Sequence, residues 1–183
     1  MEQGLAMAAA HLFTMKLLLH EPILIKPSEP TENLVYFLSN LDQINANIIK
    51  TVYVFEAPAP GSAEASKEPS LVLRESLTKV LNHYYPLAGR LGISAEGKLN
   101  VHCYGQGALF VDAEATGSVS DLGDLAIPEP ARLGKLVYEV PDAKTILDVP
   151  PLVVQVTSPP FLLSSPIYGS NLKPLNKPLT PKP

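Results

Sequence analysis

Four histidines, one cysteine and two short glycine- or serine-bearing turns are the parts of this sequence whose residue types could carry chemistry. The histidines are His11, His20, His83 and His102, and an imidazole serving as a general base needs a partner that orients it, most simply a carboxylate one helical turn away. The fourth residue after each is Met15, Leu24, Leu87 and Gln106, so no His-x-x-x-Asp occurs. His83 falls in the last turn of a predicted helix, where a partly positive imidazole suits the negative end of the dipole, and this structural role outweighs a catalytic one. His102 alternates with strand residues that point the other way, which places it toward solvent. A zinc site needs several ligands at short spacing, and none is assembled here. Cys103 stands alone, so the chain has no internal disulfide and suits a reducing compartment, with a cytoplasmic location as the expectation.

Two local patterns resemble chemical motifs and then depart from them. Gly105-Gln106-Gly107 resembles the opening of a dinucleotide fingerprint, yet the third glycine is missing and Leu109 to Val111 reads as a strand, so a turn between two strands is the better reading. Gly92-Ile93-Ser94-Ala95-Glu96 follows a nucleophile elbow until its fifth position, where glutamate stands in place of glycine.

The elements that must position these residues follow from periodicity. Phe13 to Ile25 reads as a first strand bounded by Pro22, Pro27 and Pro30. Leu34 to Asp42 fits either a short helix or a buried loop. Ile48 to Phe55 is rich in β-branched and aromatic side chains and reads as a strand buried on both faces. Ala57 to Ser66 lacks anchoring side chains and reads as a surface loop. A long amphipathic helix then begins near Pro69, with Leu73, Leu77, Val80, Leu81 and Tyr84 at helical spacing and Glu75 four residues before Lys79, and it stops at Pro86. Leu91 to Ser94 and Leu99 to Cys103 form a hairpin through Glu96-Gly97, Leu109 to Ala113 forms a further strand, and Leu152 to Val156 another, entered through Pro150-Pro151. Strands mixed with a long helix indicate an α/β or α+β layered fold.

Bulk composition excludes several functions. With 183 residues, 46% hydrophobic and 17% charged, the chain can bury one core. A net charge of −4 with no Lys/Arg run gives no footprint for nucleic acid. The apolar stretch from Leu5 to Leu19 lacks the positive start of a signal peptide, and no run reaches the length of a membrane span. Seven of the 19 prolines lie from Pro159 onward, which predicts a disordered tail over 158–183, a flexible extension over 1–12 and a folded region over 13–157.

Two segments carry a family resemblance. Tyr84-Tyr85-Pro86-Leu87-Ala88-Gly89-Arg90-Leu91, directly after the amphipathic helix, resembles the Y-P-L-A-G-R signature of the BAHD acyl-CoA-dependent O-acyltransferases, and Leu38-Ser39-Asn40-Leu41-Asp42 matches their early L-S-x-L-D element. The likeness runs from Phe13 to Thr157 and includes Gly97-Lys98-Leu99 and Pro150 to Thr157. Within the family, Tyr36 to Gln43 and Thr51-Val52-Tyr53 look most like the branch that moves feruloyl or related hydroxycinnamoyl groups onto ω-hydroxy fatty acids or fatty alcohols.

The resemblance implies the N-terminal half of a two-domain fold related to chloramphenicol acetyltransferase, with a mixed sheet and acyl-CoA as co-substrate rather than a bound cofactor. It implies catalysis by a histidine in an H-x-x-x-D motif that follows the strand matching Leu152 to Val156, together with a later D-F-G-W-G motif. Neither motif occurs in this sequence, which has no tryptophan, so the expectation is a truncated homologue with no catalytic residue and negligible activity alone. By the same resemblance Thr51 and Tyr53 lie toward the acceptor as substrate contacts, against the plainer reading that both pack within the sheet. Arg90 is read as closing the helix-to-strand turn rather than as a CoA phosphate contact. A second reading is a non-catalytic half-domain that pairs with another acyltransferase chain through the apolar face its own second half would cover.

Overall fold

A computed structural model describes residues 15–59, 61–63, 67–117, 119–127 and 129–158. The extension over 1–12, His11 and the tail beyond Ser158 lie outside the described residues.

The expected first strand is split. Strand β1 (Lys16–Leu19) and strand β2 (Ile23–Ile25) both pair antiparallel with strand β6 (Ala108–Thr116), on the edge opposite strand β7 (Val153–Ser158), which runs parallel to β6. Leu19 opposes Ala113 and Ile23 opposes Phe110, so four steps along the first strand face three along β6. The extra residue falls beside Pro22, which has no N–H to give the ladder, and a bulge there breaks one strand into two. The backbone N–H of His20 still reaches the Asp112 carbonyl oxygen at 2.9 Å.

A second sheet is antiparallel throughout, in the order β3 (Leu34–Phe37), β5 (Leu99–Cys103), β4 (Arg90–Ile93). The expected β4–β5 hairpin is present, with Gly97 at φ +76° and the Ser94 N–H donating to the Lys98 carbonyl at 2.8 Å. Leu34 to Asp42 is neither a single helix nor a loop. Its β-branched and aromatic half pairs with β5, and helix α1 (Asn40–Ile44) follows. Ser39 caps that helix, with its hydroxyl accepting from the Asp42 N–H at 3.3 Å and the Asp42 carboxylate accepting from the Ser39 N–H at 3.0 Å. This capping box is the physical content of the L-S-x-L-D element.

Helix α2 (Pro69–His83) starts with proline in its first turn, ends at Tyr84 and passes into a 3-10 turn over Tyr85–Ala88. It lies on the first sheet, where Leu81 and Leu77 meet Ile25, Ala88, Ala108 and Phe110, with Val154 and Val156 of β7 beside them. The stripe expected to face the core is rotated. Leu77 and Leu81 face the sheet as expected, but Leu73, Val80 and Tyr84 are exposed, and Ser70 and Arg74 take the remaining inward positions.

The expected strand over Ile48–Phe55 does not form. Ile49, Tyr53 and Phe55 are 80%, 77% and 83% exposed, and no described segment pairs with this stretch. Its composition records a fit to a buried pleated surface, but a strand is held by its neighbours, and none is present for it among the described residues.

Candidate functional site

A tight set of specific contacts lies where α2 hands over to β4. Tyr85 to Ala88 tightens into the 3-10 turn, which drives Ala88 into the core and brings Gly89 against β5. A Cβ on Gly89 would stand 2.6 Å from the His102 carbonyl oxygen and 2.7 Å from a Val101 methyl, so only glycine fits there. The Arg90 guanidinium donates to the Gly89 carbonyl at 2.6 Å and to the Gly107 carbonyl at 2.8 Å, while the Gly107 N–H donates to Ala88 at 2.9 Å. Burial holds the Arg90 pKa below its ordinary value through desolvation. The Y-P-L-A-G-R segment is therefore a clasp that joins helix, second sheet and the start of β6, and Arg90 has the turn-closing role expected of it.

Gly105 and Gly107 sit in that clasp at φ +62° and +103°, in a turn between β5 and β6 that carries the chain from one sheet to the other. No helix opens there, so the turn reading of Gly105-Gln106-Gly107 holds. Ser94 belongs to the hairpin, where its hydroxyl donates to Glu96 at 3.1 Å and accepts from the Lys98 N–H at 3.2 Å, which is a turn geometry and not a nucleophile elbow.

The described histidines are not brought together. Nε2 of His20 lies 3.3 Å from Glu114 in an exposed pair, His83 is exposed in the last turn of α2 as expected, and His102 is half-buried, packing edge-on against Tyr104 with ring centroids 5.7 Å apart. Among the described residues no cluster of His, Cys, Asp or Glu could hold a metal ion. Cys103 is buried on β5, and desolvation pushes its thiol pKa up.

Thr51 and Tyr53 stand two residues apart on the stretch after α1, and both are exposed. They do not pack within a sheet. Lys50 beside them pairs with Glu139, whose carboxyl is held below its ordinary range by the Lys50 hydrogen bond and charge. Lys50, Leu17, Leu19, Tyr138 and Gln155 line an open cleft of about 550 Å³ on the face of the first sheet away from α2.

One polar group was not visible in the sequence. Asp112 of β6 accepts from the Ser70 hydroxyl and pairs with Arg74, whose guanidinium lies 5.2 Å from the Phe110 ring centroid. Ser70 and Arg74 are one helical turn apart, which a sequence pattern reads as a polar face. The Asp112 carboxylate, on the sheet face that α2 covers, meets both there.

A helix packed on a four-stranded mixed sheet and clasped to a second sheet defines the α/β class of the chloramphenicol-acetyltransferase-like enzymes. Vinorine synthase, a solved structure, superposes with a TM-score of 0.55 at 26% identity over 78% of this chain and 34% of its own length. A model of the transferase family matches residues 15–159, and the chain belongs to that family, the BAHD acyltransferases. It is 51% identical over 137 residues to omega-hydroxypalmitate O-feruloyl transferase of Arabidopsis thaliana, covering 75% of this chain and 29% of that protein. It is 45% identical over 140 residues to fatty alcohol:caffeoyl-CoA acyltransferase of the same plant, covering 75% and 32%. The chain thus spans about a third of the length of the curated relatives it matches. No helix among the described residues is long and apolar enough to cross a membrane.

Proposed function

We propose that this chain is the acceptor-side scaffold, over 13–157, of a cytoplasmic acyltransferase that moves a feruloyl-like hydroxycinnamoyl group from CoA to the hydroxyl of an ω-hydroxy fatty acid or fatty alcohol. The chain alone does not perform the transfer. The carrying observation for the substrate class is that the two relatives at 51% and 45% identity each pair, by name, a hydroxycinnamoyl group with a long-chain acceptor.

The chemistry requires a base to take the acceptor proton, attack of the alkoxide on the thioester carbonyl, and donors for the tetrahedral oxyanion before CoA leaves. A placed general base contributes roughly a hundred- to ten-thousand-fold. His20 pairs with Glu114 on the exposed surface and His102 packs on Tyr104, and neither lines the cleft beside Lys50, so neither is placed to supply that base. What the chain contributes is position. The exposed hydroxyls of Thr51 and Tyr53 are suited to hold the acceptor hydroxyl while Ile49 and Phe55, exposed on the same stretch, meet its hydrocarbon.

A graft tests this reading. Residues 15–157 of this chain replace the matched stretch of the Arabidopsis feruloyl transferase, and ester formation from feruloyl-CoA and ω-hydroxypalmitate is followed. Retained feruloyl transfer is expected, with Tyr53→Ala raising KM for the acceptor more than for feruloyl-CoA. A graft that folds and prefers acetyl-CoA or a short alcohol contradicts the assignment.

A further inference from the structure

We propose that Gln43 and Glu139 are positioning residues for the acceptor, two tethers that fix the stretch carrying Thr51 and Tyr53. The inference rests on the acceptor-side reading above and adds the groups that hold that side in place.

The stretch needs tethers because it joins no ladder among the described residues. A backbone without ladder bonds samples many conformations, so the hydroxyls it carries are placed only as well as the chain around them is held. Upstream, β3 leaves the second sheet after Phe37 pairs with Asn100, and the chain turns into α1. At Leu99, the next residue of β5, no β3 residue remains to pair. The half-buried Gln43 amide fills that place. Its Nε2 donates to the Leu99 carbonyl at 2.7 Å, and its Oε1 accepts from the Leu99 N–H at 2.8 Å. One side chain thus supplies both bonds of an antiparallel ladder position. The Gln43 N–H in turn donates to the Ser39 carbonyl at 3.0 Å, so the capped helix and the second sheet are fixed to each other.

The other tether is next to the hydroxyls themselves. Lys50, one residue before Thr51, pairs with Glu139, and both line the cleft with Leu17 and Leu19 of β1 and Gln155 of β7. Glu139 follows the 3-10 turn Gly134–Leu136, which the Val137 N–H closes on the Gly134 carbonyl at 3.3 Å. The stretch is therefore tied on one side to the second sheet and on the other to the wall of a cleft over the first. The two tethers differ in kind. Deleting the Gln43 amide strips two backbone groups of their partners, whereas the Lys50–Glu139 pair lies at the surface, where screening keeps its effect small.

Two readouts test this. In the isolated 183-residue chain, backbone order parameters at Thr51 and Tyr53 are expected above about 0.6 and to fall below it in Gln43→Leu, with those of β6 unchanged. In the graft described above, Gln43→Leu is expected to raise KM for ω-hydroxypalmitate about tenfold and Glu139→Gln about threefold, with KM for feruloyl-CoA within about twofold of the parent graft. Glu139→Lys combined with Lys50→Glu should restore the acceptor KM. Where Gln43→Leu does not fold, Gln43→Glu, which keeps the bond to the Leu99 N–H and loses the one to its carbonyl, should give a smaller rise of the same kind. The inference is overturned by order parameters already below about 0.6 in the parent chain, by variants in which both KM values rise together or neither moves, or by a charge swap that restores nothing. A graft that prefers a short alcohol counts against the substrate class alone, because the order parameters of the isolated chain still decide whether the tethers hold.

Discussion

The Arg90 guanidinium donates to the Gly107 carbonyl oxygen across 2.8 Å, joining the end of the family signature to a turn that lies 17 residues further along the chain. Its second bond, to Gly89, closes the ring of contacts that starts with the Gly107 N–H on Ala88. Hydrogen bonds to a charged group contribute about 1.5 to 3 kcal/mol each when a partner is deleted. Arg90→Met, which keeps the apolar stem, is expected to cost about 2 to 3 kcal/mol in a urea unfolding midpoint. Arg90→Lys recovers only part of that, because an ammonium lacks the planar fork that reaches two carbonyls.

Glycines in this fold divide by what surrounds them. Gly107 holds φ +103° with a would-be Cβ 2.8 Å from the Ile25 carbonyl oxygen, whereas Gly97 at φ +76° opens onto solvent. Gly107→Ala combines left-handed strain with a backbone clash and is expected to destabilise by more than about 2 kcal/mol. Gly97→Ala carries the conformational cost alone, about 1 to 2 kcal/mol. Thermal unfolding of the two variants side by side tests the ordering.

Asp112 anchors α2 to the sheet through Ser70 and Arg74. Removing the carboxylate leaves a partly buried guanidinium without its counter-charge, so Asp112→Ala is expected to cost about 2 kcal/mol. A double-mutant cycle with Arg74→Met should return a coupling energy of at least about 0.5 kcal/mol, and additive single effects would refute the anchoring role.

Asp148 caps the turn over Ile146–Asp148, where its carboxylate accepts from the Lys144 N–H at 3.0 Å, the Thr145 N–H at 2.8 Å and the Thr145 hydroxyl at 3.0 Å. These donors favour the ionised form and lower its pKa, the Thr145 N–H contributing most. A lowered folded-state pKa means that the stabilisation is complete above the unfolded-state value and is lost as pH falls through the folded one. Amide exchange at Leu147 is expected to accelerate on acidification below the ordinary aspartate range, and Asp148→Asn should remove that acid dependence.

The elements that signalled themselves locally could be read from residues alone. The hairpin needed Gly97 after Glu96, α2 needed Pro69 in its first turn, and β7 was visible in Val153, Val154 and Val156. What escaped was everything set by distant partners. The helical spacing of Leu73, Val80 and Tyr84 pointed to a core face, yet Asp112, more than thirty residues along the chain from Arg74, turns the polar residues inward. Ile48–Phe55 had strand composition and has no strand neighbour among the described residues, and composition cannot report a neighbour. Thr51 and Tyr53 were singled out through the family likeness, and their exposure became visible only in the fold.

The central claim is that this chain holds the family's N-terminal architecture with no histidine among the described residues placed to take the acceptor proton. Its most direct test is ester formation by the purified 183-residue chain, alone, from feruloyl-CoA and ω-hydroxypalmitate. The account predicts a rate indistinguishable from the protein-free control. Turnover that disappears in His20→Ala or His102→Ala would contradict it.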